Sequence, residues 1–330
     1  MKAKLASFIQ RQWTGFGFWN LLLLPLSWVF GCLSLIRLLA YRYHLLTSFR
    51  LPVPVMVVGN ISVGGTGKTP LVIWVVQQLQ AAGFHPVVVS RGYAATGVAE
   101  IQQVTPTSDP GMVGDEPLLM AQRTHVPVWV GRQRARVAQA ALAHSPQCNI
   151  IISDDGLQHY ALQRDIEIAV VDATRMFGNR QLLPAGPLRE PVSRLSAVDA
   201  VVLNGASADG GGFYMQLISD QLYKLKSPAS VCGVQVFAGQ AVHAVAGIGN
   251  PQRFFNQLRN AGLQVIEHAF PDHHAFAASD LAFGDDAPVI MTEKDAVKCA
   301  AFAQSHWWVM PVTAELSPAF LPHVLSKLGV

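Results

Sequence analysis

Two short stretches of this chain carry residue types that handle phosphate. The first is Ser62-Val63-Gly64-Gly65-Thr66-Gly67-Lys68-Thr69-Pro70. Glycines let a backbone bend until its N–H groups converge on phosphate oxygens. A lysine and a hydroxyl then follow at the spacing that reaches the β- and γ-phosphates and a Mg²⁺ ion. The usual pattern asks for glycine at position 62, where Ser62 stands. The second stretch is Asn149-Ile-Ile-Ile-Ser-Asp-Asp155. An apolar run that ends in Asp154 and Asp155 is the arrangement that holds Mg²⁺ beside a phosphate loop, directly or through water.

Further polar groups are candidates for the acceptor side. Asp115 and Glu116 in Gly114-Asp-Glu-Pro117 open a helical pattern. Carboxylates are favoured there electrostatically, so simple capping competes with a catalytic role. Arg132, Arg134 and Arg136 alternate at another helix start. Positive charge there opposes the helix dipole, which predicts an anion to answer it. Arg91 ends a strand pattern, and His159 lies in the loop after Asp155. A phosphate contact and an ion pair both fit Arg91, and a turn histidine is more often structural than catalytic.

Elements must hold these groups in place. Val55–Val58 reads as a buried strand, and Leu71–Leu79 as the apolar face of a helix whose early Pro70 needs no N–H. Further strands are predicted at 86–90, 126–130, 149–155, 166–171 and 200–203. Leu182–Pro191 holds three prolines and reads as a rigid loop carrying Arg189 and Glu190. The glycine-rich residues 205–212 mark a boundary. Segments 213–218 and 221–226 alternate and are expected to pair as a ribbon. A second α/β unit follows, with strands at 242–246, 265–268, 289–292 and 307–310. Its Asp272-His-His274 cluster is expected to meet the first unit across a cleft rather than bind a metal.

The chain of 330 residues is long enough for two domains. Charged residues are only 14% and hydrophobic residues 51%, which points to membrane contact. A net charge of +3 gives no reason to expect nucleic acid. Cys32, Cys148, Cys232 and Cys299 are widely spaced, so no disulfide framework or zinc site is expected and a reducing cytoplasm fits. From Gln12 to Ile36 no residue is charged. Lys2, Lys4 and Arg11 precede this stretch, and Arg37, Arg42 and Arg50 follow it. A bilayer-spanning helix, a helix lying in one leaflet and a core helix all fit. No removable signal is evident.

A phosphate loop with a strand-end acidic pair specifies a nucleotide and Mg²⁺, not a reaction. Guanine recognition asks for Asn-Lys-x-Asp, whereas Thr292-Glu-Lys-Asp295 has its lysine elsewhere, so ATP is expected. A membrane-associated P-loop switch ATPase is the alternative to a kinase. Partitioning-type switches carry a lysine where Ser62 and Val63 stand, which counts against them.

Taken together, Ser62–Pro70, Ser90-Arg-Gly-Tyr93, Gly114-Asp-Glu-Pro117, Asp154-Asp-Gly-Leu-Gln-His159, Leu183–Pro191, Ala244-Val-Ala-Gly-Ile-Gly-Asn-Pro251, Asp272-His-His274 and Met291–Asp295 resemble the tetraacyldisaccharide 4′-kinase family of lipid A biosynthesis. The resemblance covers nearly the whole chain. It implies ATP-dependent phosphorylation of the 4′-hydroxyl of tetraacyldisaccharide 1-phosphate, giving lipid IVA at the cytoplasmic face of the inner membrane. It implies Asp115 as catalytic base aided by His273, with Lys68, Arg189 and one arginine among Arg132, Arg134 and Arg136, taken as Arg134, as further catalytic residues. Ser62 to Thr69 would cradle ATP, and Thr69, Asp154 and Asp155 would serve Mg²⁺. The expected fold is α/β: a P-loop NTPase-like three-layer α/β/α domain at 51–204 and a smaller α/β domain at 231–330. A boundary and two-stranded linker at 205–230 join them, a membrane-associated segment at 1–50 precedes them, and a monomer is expected.

Overall fold

The computed structural model describes residues 12–92, 101–205 and 212–329. Lys2, Lys4 and Arg11, Tyr93 and most of the glycine-rich boundary lie outside the described residues. The strands are β1 (Val55–Gly59), β2 (Pro86–Ser90), β3 (Gln102–Val104), β4 (Val128–Val130), β5 (Ile150–Asp154), β6 (Ile166–Asp172), β7 (Ala200–Asn204), β8 (Phe213–Ile218), β9 (Gln221–Lys224), β10 (Ser227–Gly233), β11 (Ala241–Ala246), β12 (Gln264–Ala269), β13 (Val289–Thr292), β14 (Trp307–Met310) and β15 (Thr313–Leu316).

Nine of them form one sheet in the order β15-β8-β7-β6-β1-β5-β2-β4-β3. Its centre is parallel, and both edge strands run antiparallel to their neighbours. Strands buried on both faces read as continuous apolar runs, and β1, β2 and β5 have every residue buried. Met56 and Val58 point to the core under the helices Lys68–Ala81 and Asp115–Thr124. Val55 and Val57 point to the opposite core, under the helix Arg134–His144. Helix, sheet and helix thus make three layers. Strand β1 sits between β5 and β6, and the helix after it leads on to β2, so a crevice opens past the C-terminal end of β1.

The second sheet has six strands in the order β10-β9-β14-β13-β11-β12. The helix Pro251–Asn260 covers one face through Phe254, Phe255 and Leu258, and the helix Glu293–Cys299 covers the other.

The structure corrects the expected ribbon. Strands β8 and β9 do not pair with each other. Strand β8 lies between β7 and β15, and β9 between β10 and β14. The chain therefore crosses between the sheets twice, from β8 to β9 and back from β14 to β15. The two crossings run antiparallel beside each other, with Ser219 donating to the carbonyl of Pro311 between the paired strands. Residues after 313 return to the first sheet, where Phe320 and Val324 are buried in its core. Residues 313–328, expected within the 231–330 unit, thus join the first sheet, because a strand's own sequence does not say which strand it will meet.

The helix Phe18–Arg42 is apolar and long enough to cross a bilayer, and only 6% of its most apolar window is buried. That removes the core-helix reading. Its buried residues are the polar ones, Asn20 and Ser27, while Leu22, Leu26, Trp28, Val29, Leu33 and Ile36 are exposed. A helix of a water-soluble fold does the reverse.

Candidate active site

Strand β1 delivers the chain into the phosphate loop, and the loop is fastened from three sides. Gly67 has φ 93°, a conformation that disfavours a side chain, and a Cβ there would lie 2.4 Å from Nδ2 of Asn204. Asn204, at the end of β7, donates to the carbonyl of Thr66 at 2.9 Å. Asn60 donates to the Thr66 hydroxyl at 3.2 Å. Arg175, held by Asp172 at 3.0 Å, donates to the carbonyl of Gly65. The proline-rich loop runs alongside: Val63 N–H donates to Pro187 O at 2.8 Å, Arg189 N–H donates to Ile61 O at 2.7 Å, and Ser62 bridges Leu188.

Lys68 is the first residue of its helix and Thr69 the second, both half-buried. The Lys68 ammonium lies 3.5 Å from Oδ1 of Asp155, and Arg189 donates to the same carboxylate at 3.1 and 3.2 Å. Burial alone would raise the Asp155 carboxyl, but these two cations outweigh it and hold it at about 2. Asp155 sits at φ 47°, a left-handed conformation that aspartate tolerates better than most residues.

Asp154 is different. It is buried at the end of β5, and Ser90 donates to its Oδ2 at 2.9 Å. Its Oδ1 is buried with no hydrogen-bond partner. Burial, with the carboxylates of Glu116 and Asp155 nearby, pushes it up to about 6. A buried oxygen without a donor is one that a hard cation would satisfy, and Thr69, next to the Lys68 whose charge acts on Asp154, carries a hydroxyl; this donor set fits Mg²⁺. Among the described residues no group of three or more His, Cys, Asp or Glu side chains is placed to hold a metal ion.

Of the three arginines, the structure buries one. Arg134 donates to the carbonyls of Asp154 at 2.9 Å and Gly131 at 3.3 Å, while Arg132 and Arg136 are exposed. Burial lowers Arg134 to about 10 against the pull of Asp154 and Asp155. The charge that seemed to oppose its helix dipole is thus answered by strand-end oxygens. All three arginines line an open cavity of about 310 Å³ with Tyr41, Thr47, Phe49 and His159. Burial and the charges of Arg134 and Arg91 lower His159 to about 3, so it is neutral. Arg91 is exposed at the end of β2.

The second sheet supplies the remaining wall. Asp115 begins its helix, is buried, and receives Nδ1 of His273 at 3.0 and 3.1 Å. His273 comes from the turn after β12 with φ 61°. Burial would raise Asp115, but the His273 hydrogen bond and the charges of Lys294 and Lys298 hold it below the usual carboxylate range. Burial would lower His273, but the Asp115 hydrogen bond raises it above 6.5. The Lys294 ammonium lies 2.9 Å from Glu116 and 3.2 Å from Asp272. Glu293 receives Arg123 at 2.6 and 2.7 Å across the same junction. A Cβ built at Gly249 would lie 3.5 Å from the Gly65 nitrogen and 3.6 Å from the Asp272 carboxylate, so the second sheet's turn faces the mouth of the phosphate loop. Asp154 feels both Lys68 and Glu116. The phosphate loop and the Asp115–His273 pair therefore share one crevice.

A sequence model described as LpxK, tetraacyldisaccharide-1-P 4′-kinase, matches residues 19–329. The tetraacyldisaccharide 4′-kinase of Methylobacillus flagellatus is 54% identical over 99% of this chain and 98% of its own length. The chain belongs to the tetraacyldisaccharide 4′-kinase family. The enzyme of that name from Azoarcus is 51% identical over 96% of this chain and 94% of its own. A crystal structure of LpxK from Aquifex aeolicus in complex with ATP superposes with a TM-score of 0.79 at 27% identity, covering 94% of this chain and 99% of that one. This kinase acts in lipid A biosynthesis, as the sequence motifs implied.

Several residues that bond to the groups lining this crevice have no role in the sequence reading. Ser90 and Lys294 stand inside quoted motifs, but without a role. Lys298 follows Lys294 by four residues, one helical turn, and could have been found that way. Asn204 and Arg175 carried no local signal.

Proposed function

We propose that this kinase transfers the γ-phosphoryl group of ATP, bound with Mg²⁺, to the 4′-hydroxyl of tetraacyldisaccharide 1-phosphate presented at the cytoplasmic face of the inner membrane. The observation that carries the residue roles is the contact of 3.0 Å between His273 and Asp115, facing the same crevice as the phosphate loop.

The loop from Ser62 to Thr69 turns its backbone toward the phosphates, and Lys68 and Arg189 supply positive charge where it develops on the transferring group. Asp155 holds those two cations close together by pairing with both and offsetting their repulsion. Asp154 and Thr69 would hold Mg²⁺. When bound, the ion neutralises charge on the phosphate oxygens. Asp115 orients the sugar hydroxyl and accepts its proton, and His273 keeps that carboxylate fixed and ionised. Phosphoryl transfer has a loose transition state, so position matters more than early proton removal. Arg134 fixes the end of β5 by binding the Asp154 carbonyl, while exposed Arg132 and Arg136 face the cavity beside the membrane helix, where an acidic part of the lipid would fit.

The apolar outer face of Phe18–Arg42 supports immersion in lipid, and a monomer is sufficient because both walls of the crevice come from one chain. The test uses γ-labelled ATP, the disaccharide lipid in mixed micelles, and Mg²⁺ or a chelator. Label in the lipid only when Mg²⁺ is present is the expected result. Label released as free phosphate with none in lipid would instead mean a switch ATPase.

A further inference from the structure

The membrane helix is joined to the rest of the protein in an unusual way. Its inward face carries Asn20, Ser27 and Gly31, seven and four residues apart and therefore on one side of the helix. Asn20 donates to the carbonyl of Ala185 at 2.8 Å. Ser27 donates to the carbonyl of Leu182 and accepts from the N–H of Ala185, both at 2.9 Å. At Gly31 an added Cβ would come within 2.8 Å of the end of the Leu182 side chain, which packs against the bare backbone there. Farther along, Arg37 lies over the ring of Tyr160 at 5.8 Å, and the Tyr160 hydroxyl donates to Glu190. The helix thus holds the start of the proline-rich loop directly and reaches its end through Tyr160.

That loop is the one that lies against the phosphate loop. Pro187 and Leu188 meet Val63 and Ser62, and Arg189 binds Ile61 through its backbone and Asp155 through its side chain. Only a few residues separate the atoms gripped by the helix from the guanidinium that faces the phosphates. Nothing about a tether requires buried asparagine and serine; Leu or Ala would immerse more cheaply.

We propose that the N-terminal helix is part of the catalytic framework as well as a membrane contact, with Asn20 and Ser27 as positioning residues that hold the Leu182–Arg189 loop, and through it Arg189 and the phosphate loop, in register. This rests on the phosphate-binding roles given above for Lys68 and Arg189. It separates two duties along one helix: the outer face meets lipid, and the inner face sets the nucleotide site.

The test compares full-length Asn20→Leu and Ser27→Ala with the parent enzyme in detergent micelles, where the lipid substrate is dispersed and membrane attachment is not needed. A third variant, Arg37→Met, loosens the far grip and leaves the buried bonds intact, so it reports even if Asn20→Leu folds poorly. The expected result is an ATP KM raised roughly fivefold, the effect of losing one well-placed hydrogen bond, with lipid KM and partition into vesicles unchanged. A smaller active fraction would lower kcat and leave the ATP KM alone. An unchanged ATP KM in all three variants overturns the proposal. Parent enzyme that labels no lipid would be a failure of the kinase roles instead, and the parallel control shows it.

Discussion

The two walls of the crevice are built by different physics. The phosphate wall is held mainly by backbone hydrogen bonds and by Asn204 of β7, with the local ion pairs of Asp155 and Asp172, all within one sheet and its neighbouring loops. The acceptor wall is assembled across two sheets from charges: His273 and Lys294 on one side, Asp115 and Glu116 on the other. Hydrogen-bonded frameworks are fixed before ligand arrives. Ionic contacts between parts that meet across a junction depend on pH and salt and can open. The difference suits the reaction, because nucleotide needs a rigid cradle whereas a lipid headgroup must enter and leave.

Replacing Asp115 by alanine should show the greatest separation between the walls. Turnover is expected to fall by roughly 10²- to 10⁴-fold, the range for a lost general base, while ATP affinity stays within about twofold. Comparable loss of ATP binding would break the division. Lys68→Ala should act on the other wall, lowering turnover about 10²- to 10³-fold and weakening ATP binding together. Steady-state kinetics beside nucleotide titration read both variants.

Protons sharpen the comparison further. Asp154 is raised to about 6, so below that pH its carboxyl is neutral and a proton competes with any cation there. The affinity for Mg²⁺ with nucleotide should drop by up to about tenfold per pH unit below that point, and calorimetry at pH 5 and pH 7.5 would detect it. Asp155, held at about 2, stays charged throughout and should not contribute. The smallest effect belongs to His273. Its folded pKa is raised above 6.5, so the stability it contributes is complete below the unfolded value and is lost as pH rises through the folded one. The melting temperature should fall by roughly 1–3 °C over that window, and His273→Gln should remove the slope.

Much of this was readable from residues alone because phosphate chemistry leaves local marks. A strand, glycines, Lys68 and Thr69 sit within one stretch, and so do β5, Asp154 and Asp155. The Asp272-His-His turn was also expected to reach the first unit, and His273 does meet Asp115. What stayed hidden depends on distant partners. Alternation in β8 says that one face is buried, yet not that its neighbour would be β15, nearly a hundred residues later. Arg134 looks like Arg132 and Arg136 until the helix start turns it under the sheet end. Asn20 and Ser27 look like blemishes in an apolar segment until the loop they bind is seen.

The return of the chain through β15 has a bearing on how the protein is made. Synthesis proceeds from the first residue to the last, yet the edge strand at Thr313–Leu316 and the helix at Phe320–Leu328, with Phe320 against Trp74 and Phe213, complete the nucleotide-binding half. A nascent chain arrested before residue 313 would have emitted every phosphate-binding group and still present an open sheet margin and a bare apolar surface. Competence for nucleotide should therefore arrive only once residues 313–328 have been made and docked, long after the N-terminal helix has emerged.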